Sequence, residues 1–271
     1  MELQERHADL AAQGIGMAAI FYDPPEAIRE FTEARGIEFP VLSDPGSAVI
    51  RGYGILNREV EPDAQVGDYR LYGIPYPGTF VLDGKGRVVE RFFEQRYQER
   101  ITAASIALRL GESLEGASAA GTGMDSRLIA ASAYASDTAV APGNRFALMV
   151  DVEPKPGMHV YAPGDHIYRV IRLRVDAPDF LRVHPLSYPP SELYHYEPLD
   201  ETVPVYQQPF RLVQEVTVPM SEETAALSAA PGGKLVVEGT LEYQVCDDEV
   251  CYIPAEAPLR WELAWRPLVR D

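Results

Sequence analysis

Apolar and polar positions follow different rhythms in the two halves of the chain. Leu3, Leu10 and Ala11 recur at helical spacing along Met1–Gln13. Gly16–Tyr22 (GMAAIFY) is a short continuous apolar run, as in a buried parallel strand. Asp23-Pro24-Pro25 opens a helix, with Asp23 as a candidate cap and proline tolerated in the first turn. That helix carries Ile28, Phe31 and Ala34 and stops at Gly36. Phe39–Leu42 reads as a further strand, and Ser43–Asp44 caps a helix over Gly46–Tyr53. Thr79–Asp83 and Arg87–Phe93 read as two strands turned by Gly84-Lys85-Gly86, and Gln98–Leu110 as a closing helix. Alternating βαβ units followed by a hairpin and a helix predict an α/β domain with a mixed sheet over residues 1–110.

Residues 111–126 are small and polar and read as a linker. Beyond them, over residues 127–271, the period drops to two. Arg145–Val152, Tyr168–Val175, Phe210–Val218, Lys234–Val245 and Pro258–Trp265 alternate as strands, with one helix over Glu222–Ala229. Prolines and glycines punctuate the gaps. This texture predicts an antiparallel all-β sandwich.

Charge changes the picture only by exclusion. Twenty-four Lys and Arg stand against 41 Asp and Glu, a formal net charge of −17. There is no basic patch for nucleic acid, and anionic membrane surfaces are disfavoured. Acidity on this scale serves solubility. No apolar run approaches a membrane span, so no membrane insertion is expected of this chain, and the polar start MELQERHADL has no secretory-signal pattern. No GxGxxG, P-loop or CxxCH motif appears, so no nucleotide, flavin or haem cofactor is expected.

The candidate chemistry lies in the 2 cysteines. Cys246 ends a strand and Cys251 begins the return, with Asp247-Asp248-Glu249-Val250 as the connection. Residues flanking such a loop come within disulfide reach, a Cα separation of about 4.4–6.8 Å. Closing so short a loop stabilises by roughly 2 kcal/mol, little for a staple, and a loop tip implies exposure, which favours an exchange centre. A structural staple and a metal site are the competing readings. Zinc would need distant ligands among His7, His159, His166, His184 and His195, which form no close ligand spacing, so no metal is expected; His159 and His195 read as packed or capping residues. Asp247, Asp248 and Glu249 disfavour a thiolate between them, so the reduced pair is expected to be a slow nucleophile until a partner docks, with neither thiol pKa well below about 8.

Three segments of the second half, GMHVYAPGD (157–165), VYQQPFRLVQEVTVP (205–219) and GTLEYQVCDDEVCYIP (239–254), resemble the immunoglobulin-like N-terminal domain of the thiol:disulfide interchange protein DsbD. The resemblance implies a periplasmic, extracytoplasmic electron relay to thioredoxin-like or DsbD-type partners, with the disulfide itself as the redox group. It implies that Cys246 and Cys251 are the redox pair, that Cys251 forms the mixed disulfide, and that Tyr161 lines the site. It places a cap loop at His195–Asp200, including Tyr196 and Glu197, with residues that differ from the family's own cap. In the first half, FYDPPEAIREFTEARGIEFPVLSDPGSAVIRGYGI (21–55) and IPYPGTFVLDGKGRVVERFF (74–93) resemble the redoxin branch of the thioredoxin fold, the alkyl hydroperoxide reductase and thiol-specific antioxidant (AhpC/TSA) family. There Pro77 matches the cis-proline of the fold. Residues 1–110 contain no cysteine, so the catalytic thiol and central strand of that family are expected upstream of Met1, or the domain serves for docking alone. The expected fold is thus an incomplete α/β thioredoxin-like domain followed by an all-β immunoglobulin-like sandwich. The expected function is that of a thiol–disulfide oxidoreductase, with a docking module or, in a longer form, a hydroperoxide reductase as alternatives.

Overall fold

The computed structural model describes residues 2–66, 69–94, 96, 98–110, 120–197 and 200–268. The chain divides into two compact units, Met1–Ala103 and Ala104–Asp271.

The first unit is α/β with small sheets. Helices α1 (Glu2–Glu5) and α2 (His7–Ala12) precede strand β1 (Ala19–Phe21), helix α3 (Pro25–Arg35), strand β2 (Val41–Ser43) and helix α4 (Ala48–Gly52). Strands β3 (Gln65–Val66), β4 (Tyr69–Arg70), β5 (Gly78–Leu82) and β6 (Val88–Phe93) follow, then β7 (Arg100–Ile101). β1 and β2 pair in parallel, as the apolar run over Gly16–Tyr22 predicts. Burial is lower than predicted: with β2 as the partner of β1, Phe21 remains exposed. The cap of α3 also differs. Pro24 holds the N-cap position without a side-chain cap bond, and the Asp23 carbonyl accepts from Ser43 Oγ at 2.7 Å. Asp44 does cap α4, its carboxylate accepting from the Ala48 and Ile50 amides, each at 2.9 Å. The β5–β6 hairpin turns through Gly86 at φ +76°, a left-handed conformation that suits glycine. Asp83 Oδ1 accepts from the Lys85 and Arg87 amides within that turn. Among the described residues β1–β2, β3–β4 and β5–β6 form three separate two-stranded sheets rather than one mixed sheet.

The second unit is dominated by antiparallel sheets. Helix α5 (Ala103–Arg109) leads into strands β8 (Ala120–Asp125), β9 (Ile129–Ala135), β10 (Ala139–Val140), β11 (Asn144–Pro154), β12 (His159–Tyr161), β13 (Arg172–Asp176), β14 (Arg182–Ser187), β15 (Glu192–Tyr196), β16 (Glu201–Tyr206) and β17 (Phe210–Thr217). Helix α6 (Glu222–Ala229) precedes β18 (Lys234–Tyr243), β19 (Val245–Cys246) and β20 (Ala255–Trp265). α6 opens on a capping box between Ser221 and Thr224. The large sheet runs β13-β18-β20-β8-β9-β11-β17-β14, with β10 added in parallel beside β20. A smaller sheet runs β15-β16-β12-β19. Phe146, Leu148, Leu212, Val216, Leu241 and Trp261 meet in one core, because period-two alternation turns each strand's apolar residues to the same side. Val160, Tyr206 and Val245 of the smaller sheet join that core.

Two segments depart from the sequence reading. The helix expected over Gln98–Leu110 begins at Ala103, after strand β7. Its Leu108 packs with Ala147, Met149 and Val213, a side of the large sheet separate from the main core. Of the expected linker, residues 111–119 lie outside the described residues, and 120–125 form β8.

Glu215 joins α5 to the sheet. Its buried carboxylate accepts from Arg109, with an N–O separation of 2.8 Å, and from Arg145 Nη2. Burial alone would raise its pKa, but the hydrogen bonds from the two guanidinium groups hold it below the ordinary 4.5. The carboxylate therefore adds stability above its ordinary pKa and loses it as pH falls through its lower folded value. Glu215→Gln is expected to cost about 1–3 kcal/mol at neutral pH, because two cations then face a neutral amide. The deficit should shrink towards about pH 3. Urea unfolding of both proteins at the two pH values checks this; an equal deficit at both would contradict the ion pairing.

Candidate functional site

The site lies on the side of the smaller sheet that faces away from the main core. Directly opposed residues of antiparallel strands share a face, so the pairing of His159 with Cys246, and of Cys246 with Cys251, sets three side chains in one row. Tyr161 stands two residues from His159 on the same face of β12. Val205 opposes Tyr161, and Val203 opposes Tyr194. Tyr161, Val203, Val205 and Cys246 form a small buried cluster of their own, flanked by Tyr168 and Tyr194.

Cys246 and Cys251 are at disulfide distance and bonded, with a Cα separation of 4.1 Å. Their environments are unequal: Cys246 is 1% exposed, whereas Cys251 lies on the surface. The connecting turn is organised by Asp247. Its Oδ1 accepts from the amides of Glu249 (2.9 Å) and Val250 (2.7 Å), and its Oδ2 accepts from the Tyr252 hydroxyl at 3.0 Å. The bonds from the Glu249 and Val250 amides hold the Asp247 carboxyl below the usual carboxylate range. The turn closes on backbone bonds from Asp247 to Val250 and from Tyr252 to Val245.

Aromatic rings enclose the buried sulfur. The Tyr161 hydroxyl donates to Cys251 Sγ at 3.5 Å, and its ring stacks on Tyr168 at 4.3 Å between centroids. Tyr168 in turn donates to Glu201 Oε2 at 2.6 Å. His159 lies edge-on to Tyr161 at 5.5 Å and tilted against Tyr194 at 4.6 Å. The Tyr194 hydroxyl donates to Asp248 Oδ1 at 2.8 Å, tying β15 to the cysteine turn. Burial first, then Tyr168 and Glu201, pushes the Tyr161 hydroxyl up to about 12. Burial and the bond to Asp248 bring Tyr194 to about 12 as well. Both phenols are hydrogen-bond donors at neutral pH rather than acids. Around Cys251 several aliphatic side chains face solvent, notably Val250 at 50% and Ile253 at 89% exposure.

Of the residues picked out in the sequence, the structure brings together Cys246, Cys251, Tyr161, Asp247 and Asp248. Glu249 sits exposed in the same turn. Tyr196 shares the face of Tyr194, opposite Glu201. His195 points to the other face of β15, where Nδ1 pairs with Thr202 Oγ1 at 3.0 Å. In the segment assigned to a cap, Glu197 and Asp200 make a turn through the Asp200 amide and the Glu197 carbonyl, and 198–199 lie outside the described residues. Pro77 corrects the expectation of a cis peptide: there is none among the described residues. An X–Pro bond favours trans by about 0.5–1 kcal/mol unless tertiary packing demands otherwise. The sequence reading left out Tyr168 and Tyr194 and gave His159 only a packing role. Period two was the available signal, since it puts His159 with Tyr161 and Tyr194 with Tyr196 on one face and His195 on the other.

An open groove of about 870 Å³ elsewhere in this unit holds neither cysteine. Within it Arg211 donates to both oxygens of Asp151 at 2.6 and 3.0 Å. No group of three metal-ligating side chains occurs among the described residues. No helix there is long and apolar enough to cross a membrane.

Comparison with known proteins finds two separate matching stretches. Residues 1–91 match the AhpC/TSA family. Residues 126–259 match the family described as thiol:disulfide interchange protein DsbD, N-terminal. Two predicted peroxiredoxins of Mycobacterium tuberculosis, MT2597 and Rv2521, are each 29% identical over 92 residues, which is 32% of this chain and 52% of theirs. The chain thus spans about half the length of these relatives. Among solved structures, the N-terminal periplasmic domain of ScsB from Proteus mirabilis is 16% identical with a TM-score of 0.38, covering 54% of this chain and 51% of that one. The reduced N-terminal domain of Neisseria meningitidis DsbD is 18% identical with a TM-score of 0.29, covering 44% and 76%. The chain joins a stretch that matches the AhpC/TSA family, residues 1–91, to one that matches the DsbD N-terminal domain, residues 126–259, with its cysteine pair inside the second.

Proposed function

We propose that the second unit is a thiol–disulfide exchange module that relays electrons to or from a thioredoxin-like partner in an oxidising, extracytoplasmic compartment. The observation that carries this is the asymmetry of the disulfide, with Cys251 on the surface and Cys246 buried. A partner's thiolate can reach only the outer sulfur. The mixed disulfide then forms on Cys251, and Cys246, shielded from other thiols, resolves it. The bare aliphatic side chains of Val250 and Ile253 beside Cys251 offer a docking rim. A disulfide in an immunoglobulin-like sandwich of this kind persists outside the reducing cytosol, which supports the compartment. Residues 1–110 contain no cysteine, so the exchange reading rests on Cys246 and Cys251.

Titration of the full chain in glutathione buffers, with thiols counted by mass spectrometry, tests the reading. An exchange centre should show a midpoint near about −200 to −250 mV. A pair that stays oxidised below about −300 mV would be a staple, and the unit a binding module.

A further inference from the structure

His159 is nearly fully buried, and its Nδ1 has no hydrogen-bond partner among the described residues. A buried polar atom without a partner costs free energy, so its retention calls for an explanation. Its position supplies one. His159 is the direct cross-strand neighbour of Cys246 in register, and opposed Cβ atoms of this kind lie about 4.5–5.5 Å apart. While the cysteines are bonded, the Cys246 sulfur carries no proton and offers the imidazole no donor. Reduction gives that sulfur a proton.

We propose that His159 is the base that takes the Cys246 thiol proton when Cys246 resolves the mixed disulfide. The inference rests on the exchange reading above. With a partner's sulfur bonded to Cys251, the His159 imidazole accepts the Cys246 proton and the Cys246 sulfur attacks Cys251 Sγ. The bond between Cys251 and the partner breaks, and its electron pair leaves on the partner's sulfur as a thiolate. The partner is reduced by two electrons, this unit is oxidised by two, and the imidazolium later passes its proton to solvent. In the reverse direction the imidazolium protonates the departing Cys246 thiolate.

The groups around the ring fit this role. Tyr161 on its own strand and Tyr194 from β15 hold the imidazole edge-on and tilted, and neither phenol ionises near neutral pH. Burial lowers the His159 pKa, so the resting ring is neutral and able to accept; Asp248 and Asp247 of the cysteine turn oppose that shift and stabilise the imidazolium once formed. The same carboxylates disfavour an unassisted Cys246 thiolate, which is why a base is needed.

The test uses the reduced full chain and Ellman's reagent. The first thionitrobenzoate release reports modification of Cys251, and the second reports resolution by Cys246. In wild type the second rate should vary little across neutral pH, where the imidazole is already deprotonated. In His159→Phe, which keeps an aromatic ring, it should fall about 100-fold near neutrality and climb close to tenfold per pH unit. His159→Gln, which keeps polarity but no base, should follow the same profile. Melting curves and the rate of the first release establish that the variants are folded. A second phase with wild-type rate and pH profile in either folded variant overturns the proposal. Failure of the exchange reading is separately visible, because the glutathione titration of the wild type would then find no accessible midpoint.

Discussion

Cys251→Ser should abolish mixed-disulfide formation, whereas Cys246→Ala should trap it. Offered a disulfide probe or an oxidised thioredoxin-like protein, the serine variant is expected to react about 10³-fold or more slowly than reduced wild type, down to the background of the mixture. A serine hydroxyl is not ionised near neutral pH, and the remaining thiol, Cys246, is 1% exposed behind Tyr161 and Tyr194. In Cys246→Ala the surface thiol is retained and its resolving neighbour is gone, so the adduct on Cys251 should accumulate and survive non-reducing electrophoresis. Mass spectrometry of the adduct identifies the modified residue. The opposite pattern, with adducts on Cys246 in the serine variant at wild-type rate, would mean that the buried sulfur opens to solvent and that the two roles are exchanged. Stability should change far less than reactivity, since closing a loop of this length contributes only about 2 kcal/mol.

Trp261→Ala should be the most damaging single change to the second unit, at about 3–5 kcal/mol. Trp261 is fully buried among strands of the large sheet, and its indole N–H donates to the Tyr134 carbonyl at 3.0 Å. Gly239 leaves room for the ring: a Cβ there would lie 3.1 Å from the indole and 2.7 Å from the Arg174 carbonyl oxygen. Backbone close to the vacated space resists collapse, so the cavity term adds to the lost transfer energy. Urea unfolding followed by far-UV circular dichroism reads the change. A loss below about 1 kcal/mol would show that the β20 face repacks, contrary to the close contacts described.

Much of this architecture was legible from one dimension, and the reason is periodicity. β18 and β20 have one buried face each, so their alternation survives in the sequence and locates them to within a few residues. β8 and β9, read as AGTGMD and IAASAYA, are built of small residues with little strand preference. Pairing with β20 and β11 makes them strands, and no local signal reports that. Helix α5 shows the same limit. Its sequence continues the first domain, yet its anchors are Ala147, Met149 and Glu215, and the last of these lies 106 residues from Arg109.

For the site, the sequence by itself determined the chemistry: two cysteines, five positions apart, flanking an acidic turn. It also pointed to Tyr161, whose hydroxyl lies beside Cys251. Tertiary structure decided which sulfur is reachable and what surrounds the other. Tyr168, Tyr194 and His159 converge on Cys246 through the pairing of β15, β16, β12 and β19 and through the chain that follows β12. Each of these contacts joins residues that sequence spacing does not relate. A cysteine's availability depends on such neighbours, because burial and carboxylate proximity act through space rather than along the chain.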